Sequence, residues 1–128
     1  MIVKTKIPPN MFNFEKLDVW QKAIDLADLI YTSTRAFPGE ERFGLTNQMR
    51  RAAVSVSSNI AEGSSRGSKN DFGRFIEIAT GSTFELASQI FIAKRQGLLS
   101  EEKFQKLYAD AEEIGRMLSG LRKSLSAK

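Results

Sequence analysis

The stretch QMRRAAVSVSSNIAEG, residues 48–63, decides the fold of this chain. It has no helix breaker before its final glycine, so it is predicted to form a helix. With an advance of about 100° per residue, Met49, Val56 and Ile60 share an apolar face that suits a bundle core. The neighbouring face is polar and carries mostly short side chains, including Ser and Asn, which are poor formers of helix interiors. Contacts with other helices are therefore expected to hold this polar face.

The stretch IEIATGSTFE, which ends at Glu85, continues the polar pattern on the next predicted helix. Glu77, Gly81 and Glu85 recur every four residues, and a glycine inside a helix costs about 1 kcal/mol relative to alanine, which indicates a packing role. We expect Arg50 or Arg51 to pair with Glu77 or Glu85, either within a subunit or across an interface between subunits. The predicted polar stripe comprises Gln48, Arg51, Ser55, Asn59, Glu62, Glu77, Gly81, Ser82 and Glu85. We interpret it as a packing surface toward another subunit or toward the rest of its own bundle. The alternative is a ligand or phosphate site.

Helix signals along the whole chain predict four helices. The first covers residues 18–36, the second runs from 45 or 46 to 65, the third covers 70–97, and the fourth begins at 100. No segment alternates polar and β-branched residues between turns, so no sheet is expected. Short connections favour antiparallel neighbours. The fold class is therefore all-α, an antiparallel up-down-up-down four-helix bundle. The bundle is expected at residues 15–128, after an extended N-terminal arm at residues 1–14.

Helical spacing also assigns individual side chains to faces and helix ends. In the third helix, Phe75, Ile78 and Phe91 are expected to broaden the buried face. In the second helix, Ser57 is expected to point away from the core. Asp18, followed three residues later by Gln21, resembles a capping box and is expected to cap the first helix.

The composition argues against an enzyme or a transition-metal protein. The 128 residues suggest one domain and contain no histidine and no cysteine. Their absence removes the commonest general base, thiolate nucleophiles and the usual ligands of zinc and di-iron sites. We therefore predict no enzymatic activity, no catalytic residues, no metal site and no cofactor. No apolar run approaches the about 20 residues of a membrane helix, and the lack of cysteine fits a cytoplasmic bacterial protein.

The chain is mildly basic, with a formal net charge of +4. Its basic residues concentrate after the second predicted helix and in the last part of the chain, and basic surfaces attract phosphate backbones. The candidate nucleic-acid contacts are Arg50, Arg66, Lys69, Arg74, Arg122 and Lys123. The alternative is that these charges form an ordinary solvated surface.

The quoted motifs, together with LDVWQKAIDLADLIY and GRFIEIATGSTFEL, resemble a known family over residues 14–99. It is the family of four-helix bundle proteins named for 23S rRNA intervening sequences. The resemblance implies an antiparallel bundle that assembles as a homo-oligomeric ring, a homopentamer. Distant relatives are nucleic-acid-binding accessory proteins of diversity-generating retroelements. The family signature falls on Gln48, Arg50, Arg51, Ser55, Asn59, Ile60, Ala61, Glu62, Gly63, Gly81, Ser82 and Glu85.

Three functional hypotheses follow from these observations. The first is a nucleic-acid-associated accessory or scaffold protein, oligomeric and without enzymatic activity, that binds RNA or DNA backbone through its basic surface. The second is a structural or protein–protein interaction module with no nucleic-acid binding. The third and weakest is a bundle that binds a small molecule or an ion in a polar cavity near Glu62, Glu77 and Glu85.

Overall fold

Four long helices form the structure, a computed structural model that describes residues 12–126. Helix α1 spans Asp18–Thr34, α2 spans Asn47–Ser64, α3 spans Lys69–Arg95 and α4 spans Glu101–Ser126. Each helix packs against the next and α4 also packs against α1, so the helices surround one core. The described residues contain no strand, and the all-α prediction is confirmed. The boundary at residue 15 stays a prediction, because most of the predicted arm lies outside the described residues.

The helix ends follow local sequence signals. The Ser68 hydroxyl accepts a hydrogen bond from the Asp71 backbone N–H at 3.1 Å and caps α3, and Ser100 caps α4 in the same way, also at 3.1 Å. Such caps contribute about 1 kcal/mol each. The prediction that Asp18 caps α1 is wrong. Leu17 is the N-cap, and Asp18 is the first helical residue. Its negative charge still stabilises the helix there, because it lies near the positive end of the helix dipole.

The connection between α1 and α2 is irregular. It contains a 3₁₀ turn at Gly39–Glu41 and a π-helical turn at Arg42–Thr46. Gly44 departs from helical dihedral angles, with φ −112° and ψ −113°, and the Glu41 carboxylate accepts a hydrogen bond from the Leu45 backbone N–H at 3.2 Å. This turn presents Phe43 to solvent, where 87% of its surface is exposed.

Aliphatic side chains from all four helices fill the core. The largest fully buried ones are Ile30, Met49, Val56, Ile60, Ile76, Leu86, Ile90, Leu107, Ile114 and Leu118. Burying a side chain of this size stabilises the fold by about 1.5–3 kcal/mol relative to leaving it exposed. The apolar face predicted for residues 48–63 is therefore confirmed.

The buried face of α2 is wider than its apolar pattern predicts. Ser57, expected to point outward, is buried, so that prediction is wrong. Arg50 lies on the same side of α2, and its Nε–H donates to Thr34 Oγ1 of α1 at 2.9 Å. This side of α2 therefore faces α1, and a small residue such as Ser57 fits there with its hydroxyl bonded to the Val54 carbonyl at 3.1 Å.

The outward-facing surface of α3 carries large apolar side chains. Ile78, Phe84, Phe91 and Ile92 are 51%, 72%, 46% and 47% exposed. The prediction that Ile78 broadens the buried face is wrong, because α2 and α4 cover only two sides of α3. Phe75 is half-buried, and Phe91 packs its ring edge-on against Phe104 and Tyr108 of α4 while the rest of its surface is exposed. We call this surface the outer strip of α3 and define it as Ile78, Gly81, Phe84, Ser88, Phe91 and Ile92. Within residues 12–126, no helix is long and apolar enough to cross a membrane.

Candidate nucleic-acid interface

Five of the six predicted phosphate contacts lie at one end of the bundle. There α2 ends, α3 begins and α4 ends. We call this surface the basic end and define it as Arg66, Lys69, Arg74, Arg122 and Lys123. The antiparallel packing brings these distant parts of the chain together, as the contact of Arg122 on α4 with Glu77 on α3 shows.

The three arginines of the basic end already have carboxylate partners. The pairs are Arg66 with Glu62 at 2.9 Å, Arg122 with Glu77 at 2.7 Å and Arg74 with Asp71 at 4.0 Å. Exposed ion pairs contribute only about 0–1 kcal/mol to stability, so a phosphate can replace the carboxylate as the partner of the arginine. The carboxylates nevertheless reduce the positive potential of the basic end. Lys69 and Lys123 form no ion pair among the described residues and are its strongest phosphate candidates.

Arg122 has a structural contact that the sequence analysis missed. Its Nε and Nη2 both reach Glu77 Oε2, at 2.8 and 2.7 Å. The guanidinium lies over Gly73, where a Cβ would be 2.9 Å from Nη1. Gly73 and Glu77 are four residues apart on α3 and therefore share a face. That spacing is the only local signal of the contact, because Arg122 is 45 residues from its partner.

Arg50 lies at the opposite end of the bundle. Sixteen residues separate it from Arg66 in sequence, which is about 24 Å along a helix. Its guanidinium stacks on the Tyr31 ring at 4.5 Å, besides the hydrogen bond to Thr34. The structure thus brings together five of the six predicted contacts and separates Arg50 from them.

The predicted polar stripe has a packed middle and open flanks. The Ser55 and Ser82 hydroxyls hydrogen-bond at 2.8 Å between α2 and α3, and Asn59 Nδ2 donates to the Ser55 carbonyl at 2.8 Å. These three side chains are half-buried within the chain's own bundle. The exposed members of the stripe are Gln48, Arg51, Glu62, Glu77, Gly81 and Glu85.

One flank of the stripe forms a polar cavity of about 500 Å³. Gln48, Arg51 and Glu85 line it, next to the exposed Phe43. Within the described residues, neither Arg50 nor Arg51 pairs with either of the two glutamates proposed for it. The polar stripe therefore packs α2 on α3 at its centre and leaves this cavity open to solvent.

Two of the three carboxylates named for an ion site are engaged by arginines, since Glu62 pairs with Arg66 and Glu77 with Arg122. The third, Glu85, accepts a hydrogen bond from Gln89 Nε2 at 3.3 Å and lines the polar cavity. Within residues 12–126, no three acidic side chains are grouped to hold a metal ion.

The chain resembles known proteins both in sequence and in fold. The sequence profile of the family described as 23S rRNA-intervening sequence protein matches residues 15–120. The chain belongs to this family. Its fold is also similar to that of a crystal structure of a protein of unknown function from the S23 ribosomal protein family of Bacteroides thetaiotaomicron VPI-5482. The TM-score is 0.75 at 22% identity, over 82% of this chain and 95% of that one.

Membership of the 23S rRNA-intervening sequence protein family confirms the resemblance drawn from the quoted motifs. No curated protein matches the chain. At 22% identity, the solved structure shows the fold alone.

Proposed function

We propose that this family member is a non-enzymatic scaffold that assembles with copies of itself into a ring and binds nucleic-acid phosphates through its basic end. The observation that carries the proposal is the exposure of large aromatic side chains, 87% for Phe43 and 72% for Phe84. Phe84 belongs to the outer strip of α3, where several large apolar side chains are exposed together, and a contiguous exposed apolar surface of this kind marks an interaction site. Burial in a contact with a second copy would remove both side chains from water.

An apolar groove between α3 and α4 supports a second copy as the partner. Its volume is about 450 Å³, its walls include the small residues Ala111 and Gly115, and Phe84 lies at its rim. Phe43 projects from a different part of the surface, the turn before α2. An aromatic side chain that inserts into a groove elsewhere on the next copy makes a head-to-tail contact, and such contacts close into rings when the rotation permits. The ring of five that the family resemblance implies is the closed form proposed here.

Assembly would make a modest charge effective against a polyanion. One chain carries +4, so a ring of five would carry about +20, and linked weak sites gain affinity through effective concentration. The lysines of the basic end, Lys69 and Lys123, would contact the backbone. The family's name favours RNA as the nucleic acid.

A structural or protein-interaction module without nucleic-acid binding is the second candidate. The specific observation in its favour is that all three arginines of the basic end are paired with carboxylates. The two candidates share the assembly and differ only in whether the ring binds a polyanion.

We expect Phe43→Ser and Phe84→Ser each to convert the assembled wild-type protein to monomers, because each removes one side of the head-to-tail contact. Mixed in equal amounts, the two variants should form dimers and nothing larger. The Phe84→Ser chain keeps Phe43, and the Phe43→Ser chain keeps the groove, so one intact contact remains per pair. Sedimentation velocity at several protein concentrations measures all three samples.

Asp25→Ser, an exposed change on α1, is the control and should leave the assembly unchanged. A monomeric wild-type protein would contradict the assembly proposal. If the mixture stayed monomeric while the wild type assembled, the contact would not be the proposed insertion of Phe43 into the groove near Phe84.

We expect the wild-type protein to bind labelled single-stranded RNA with an affinity that falls steeply with salt, because counterions are released from neutralised phosphates. The double variant Lys69→Gln with Lys123→Gln should bind at least about tenfold more weakly and show a shallower salt dependence. Fluorescence anisotropy across a salt series measures both quantities, with DNA of the same sequence as a second probe.

The matched control is the double variant Arg95→Gln with Lys103→Gln, which removes the same charge at the other end of the bundle. Both side chains are exposed and unpaired among the described residues. Equal weakening by the two double variants would mean that net charge matters and the basic end does not. No binding at low salt would leave the interaction module as the function.

A further inference from the structure

The end of the bundle opposite the basic end contains a second concentration of arginines. They line a cavity of about 440 Å³ between the end of α1, the π-helical turn and the first turns of α2. We call it the arginine cavity. Its walls include Arg35, Arg42, Arg50, Thr34, Thr46 and Phe37. The volume falls within the range of about 300–1,000 Å³ that is usual for small-ligand pockets.

No ion pair among the described residues involves an arginine of this cavity. Arg35 directly follows α1, Arg42 opens the π-helical turn, and Arg50 lies in the first turns of α2. The arginines of the basic end, in contrast, all have carboxylate partners. Three like charges around one concave space repel one another, and an anion bound between them would relieve that repulsion.

Arg50 is held in place before any ligand arrives. Its Nε–H donates to Thr34 Oγ1 at 2.9 Å, and its guanidinium carbon lies over the Tyr31 ring, 4.5 Å from the ring centroid. The Thr34 hydroxyl in turn donates to the Ile30 carbonyl at 2.7 Å. A guanidinium fixed in this way loses less conformational entropy when its remaining N–H groups bind an anion.

A simpler role for these arginines would be to neutralise the negative end of the α1 helix dipole. Arg50 Nη2 does reach the Tyr31 carbonyl, at 3.4 Å. No side-chain hydrogen bond of Arg35 or Arg42 to a carbonyl of α1 exists among the described residues. Arg35 and Arg42 therefore donate no hydrogen bond to the end of α1, and Arg50 keeps N–H groups beyond those that bind Thr34 and Tyr31. All three arginines line the cavity with donors for a ligand.

We propose that the arginine cavity binds a terminal phosphate monoester, either of a free nucleotide or at the end of a nucleic-acid strand. The arginines surround a concave space that holds a single phosphoryl group. The phosphates inside a strand are spaced apart, and an extended surface would bind them better. A phosphate monoester carries about −1.5 to −2 at pH 7 and offers three acceptor oxygens. Three guanidinium groups carry +3, enough to compensate that charge, and together they offer a donor for each of the three oxygens. The site is separate from the basic end and does not depend on the function proposed for it.

The test compares two RNA oligonucleotides of one sequence that differ only in a 5′-phosphate or a 5′-hydroxyl, by fluorescence anisotropy with the wild-type protein. We expect the 5′-phosphorylated strand to bind about tenfold more tightly, the gain typical of charge-assisted hydrogen bonds. Arg35→Gln and Arg42→Gln should each remove most of this difference. Both side chains are exposed, so both variants should fold, which thermal unfolding checks. Arg95→Gln, an exposed arginine at the same end of the bundle, is the control and should keep the difference.

Competition with adenosine 5′-monophosphate separates the two sources of the phosphate. Displacement of the 5′-phosphorylated strand down to the affinity of the 5′-hydroxyl strand indicates that a free nucleotide suffices. If adenosine 5′-monophosphate does not displace the 5′-phosphorylated strand, the cavity binds the phosphate only at the end of a strand. Equal binding of the two strands, or a preference that survives Arg42→Gln, overturns the proposal. Binding of the 5′-hydroxyl strand measures the basic end alone. The proposal for the basic end and the proposal for the arginine cavity can therefore be rejected independently.

Discussion

Leu86→Ala is expected to lower the free energy of unfolding by about 2–5 kcal/mol. Leu86 lies on α3 and is fully buried in the core. Its truncation removes apolar contacts and leaves a cavity that the surrounding helices fill only partly. A domain of this size has a total stability of about 5–15 kcal/mol, so the change takes a large fraction of it. Urea denaturation followed by circular dichroism measures the change.

The control is Ser88→Ala, two residues further along the same helix and exposed to solvent. It should change the stability by no more than about 0.5 kcal/mol, because it removes no buried contact. Both variants must be compared at a protein concentration at which their association state is the same. A loss of under about 1 kcal/mol for Leu86→Ala would contradict the position of α3 in the core.

The helices and the core could be predicted because their signals are local. The positions of Met49 and Ile60 in the core follow from helical spacing alone, and both are fully buried. The predicted helix ends differ from the observed ones by about two residues, as expected when caps and turns compete.

The neighbours of each helix could not be predicted, because periodicity does not say how many helices cover a given face. Periodicity places Ser57 at the surface, although α1 covers that side of α2. It places Ile78 in the core, although this side chain is 51% exposed on the outer strip of α3. The same limit hides the contact of Arg122 with Glu77, which depends on how α3 and α4 align.

The candidate sites were accessible to sequence reasoning only in part. Charge runs identified the basic end, but they could not show that its arginines are paired. The arginine cavity has no sequence motif, since Arg35, Arg42 and Arg50 are seven and eight residues apart and the irregular turn brings them together. The exposure of Phe43 depends on the same turn, which follows from the dihedral angles of Gly44.

A glycine-to-alanine change is expected to have opposite effects at two positions. At Gly63, near the end of α2, an added Cβ would lie 2.7 Å from the Cβ of Phe75 and 2.9 Å from the Phe72 ring. Since Phe75 Cβ moves only with its backbone, α2 and α3 would have to separate. We expect Gly63→Ala to destabilise the fold by about 1–2 kcal/mol and Gly63→Val by about 3 kcal/mol.

At Gly81, inside α3, an added Cβ would meet nothing within 4 Å. Gly81→Ala should therefore stabilise the isolated chain by about 1 kcal/mol, the difference in helix propensity. Urea denaturation in the monomeric Phe84→Ser background measures both glycine positions without a contribution from assembly. If Gly63→Ala proved as stabilising as Gly81→Ala, the close approach of α2 and α3 would be wrong.

The glycine at position 81 of α3 needs an explanation, because alanine is expected to be more stable there. It lies in the middle of the outer strip, between Ile78 and Phe84, and a residue without a side chain lets another backbone come close. If a second copy packs there, Gly81→Ala should weaken the assembly in the otherwise wild-type chain while it stabilises the monomer. Sedimentation velocity and urea denaturation would then change in opposite directions. If Gly81→Ala is more stable and assembles as well as the wild-type protein, the contact between copies does not include Gly81. The groove beside Phe84 would then form that contact without the outer strip around Gly81.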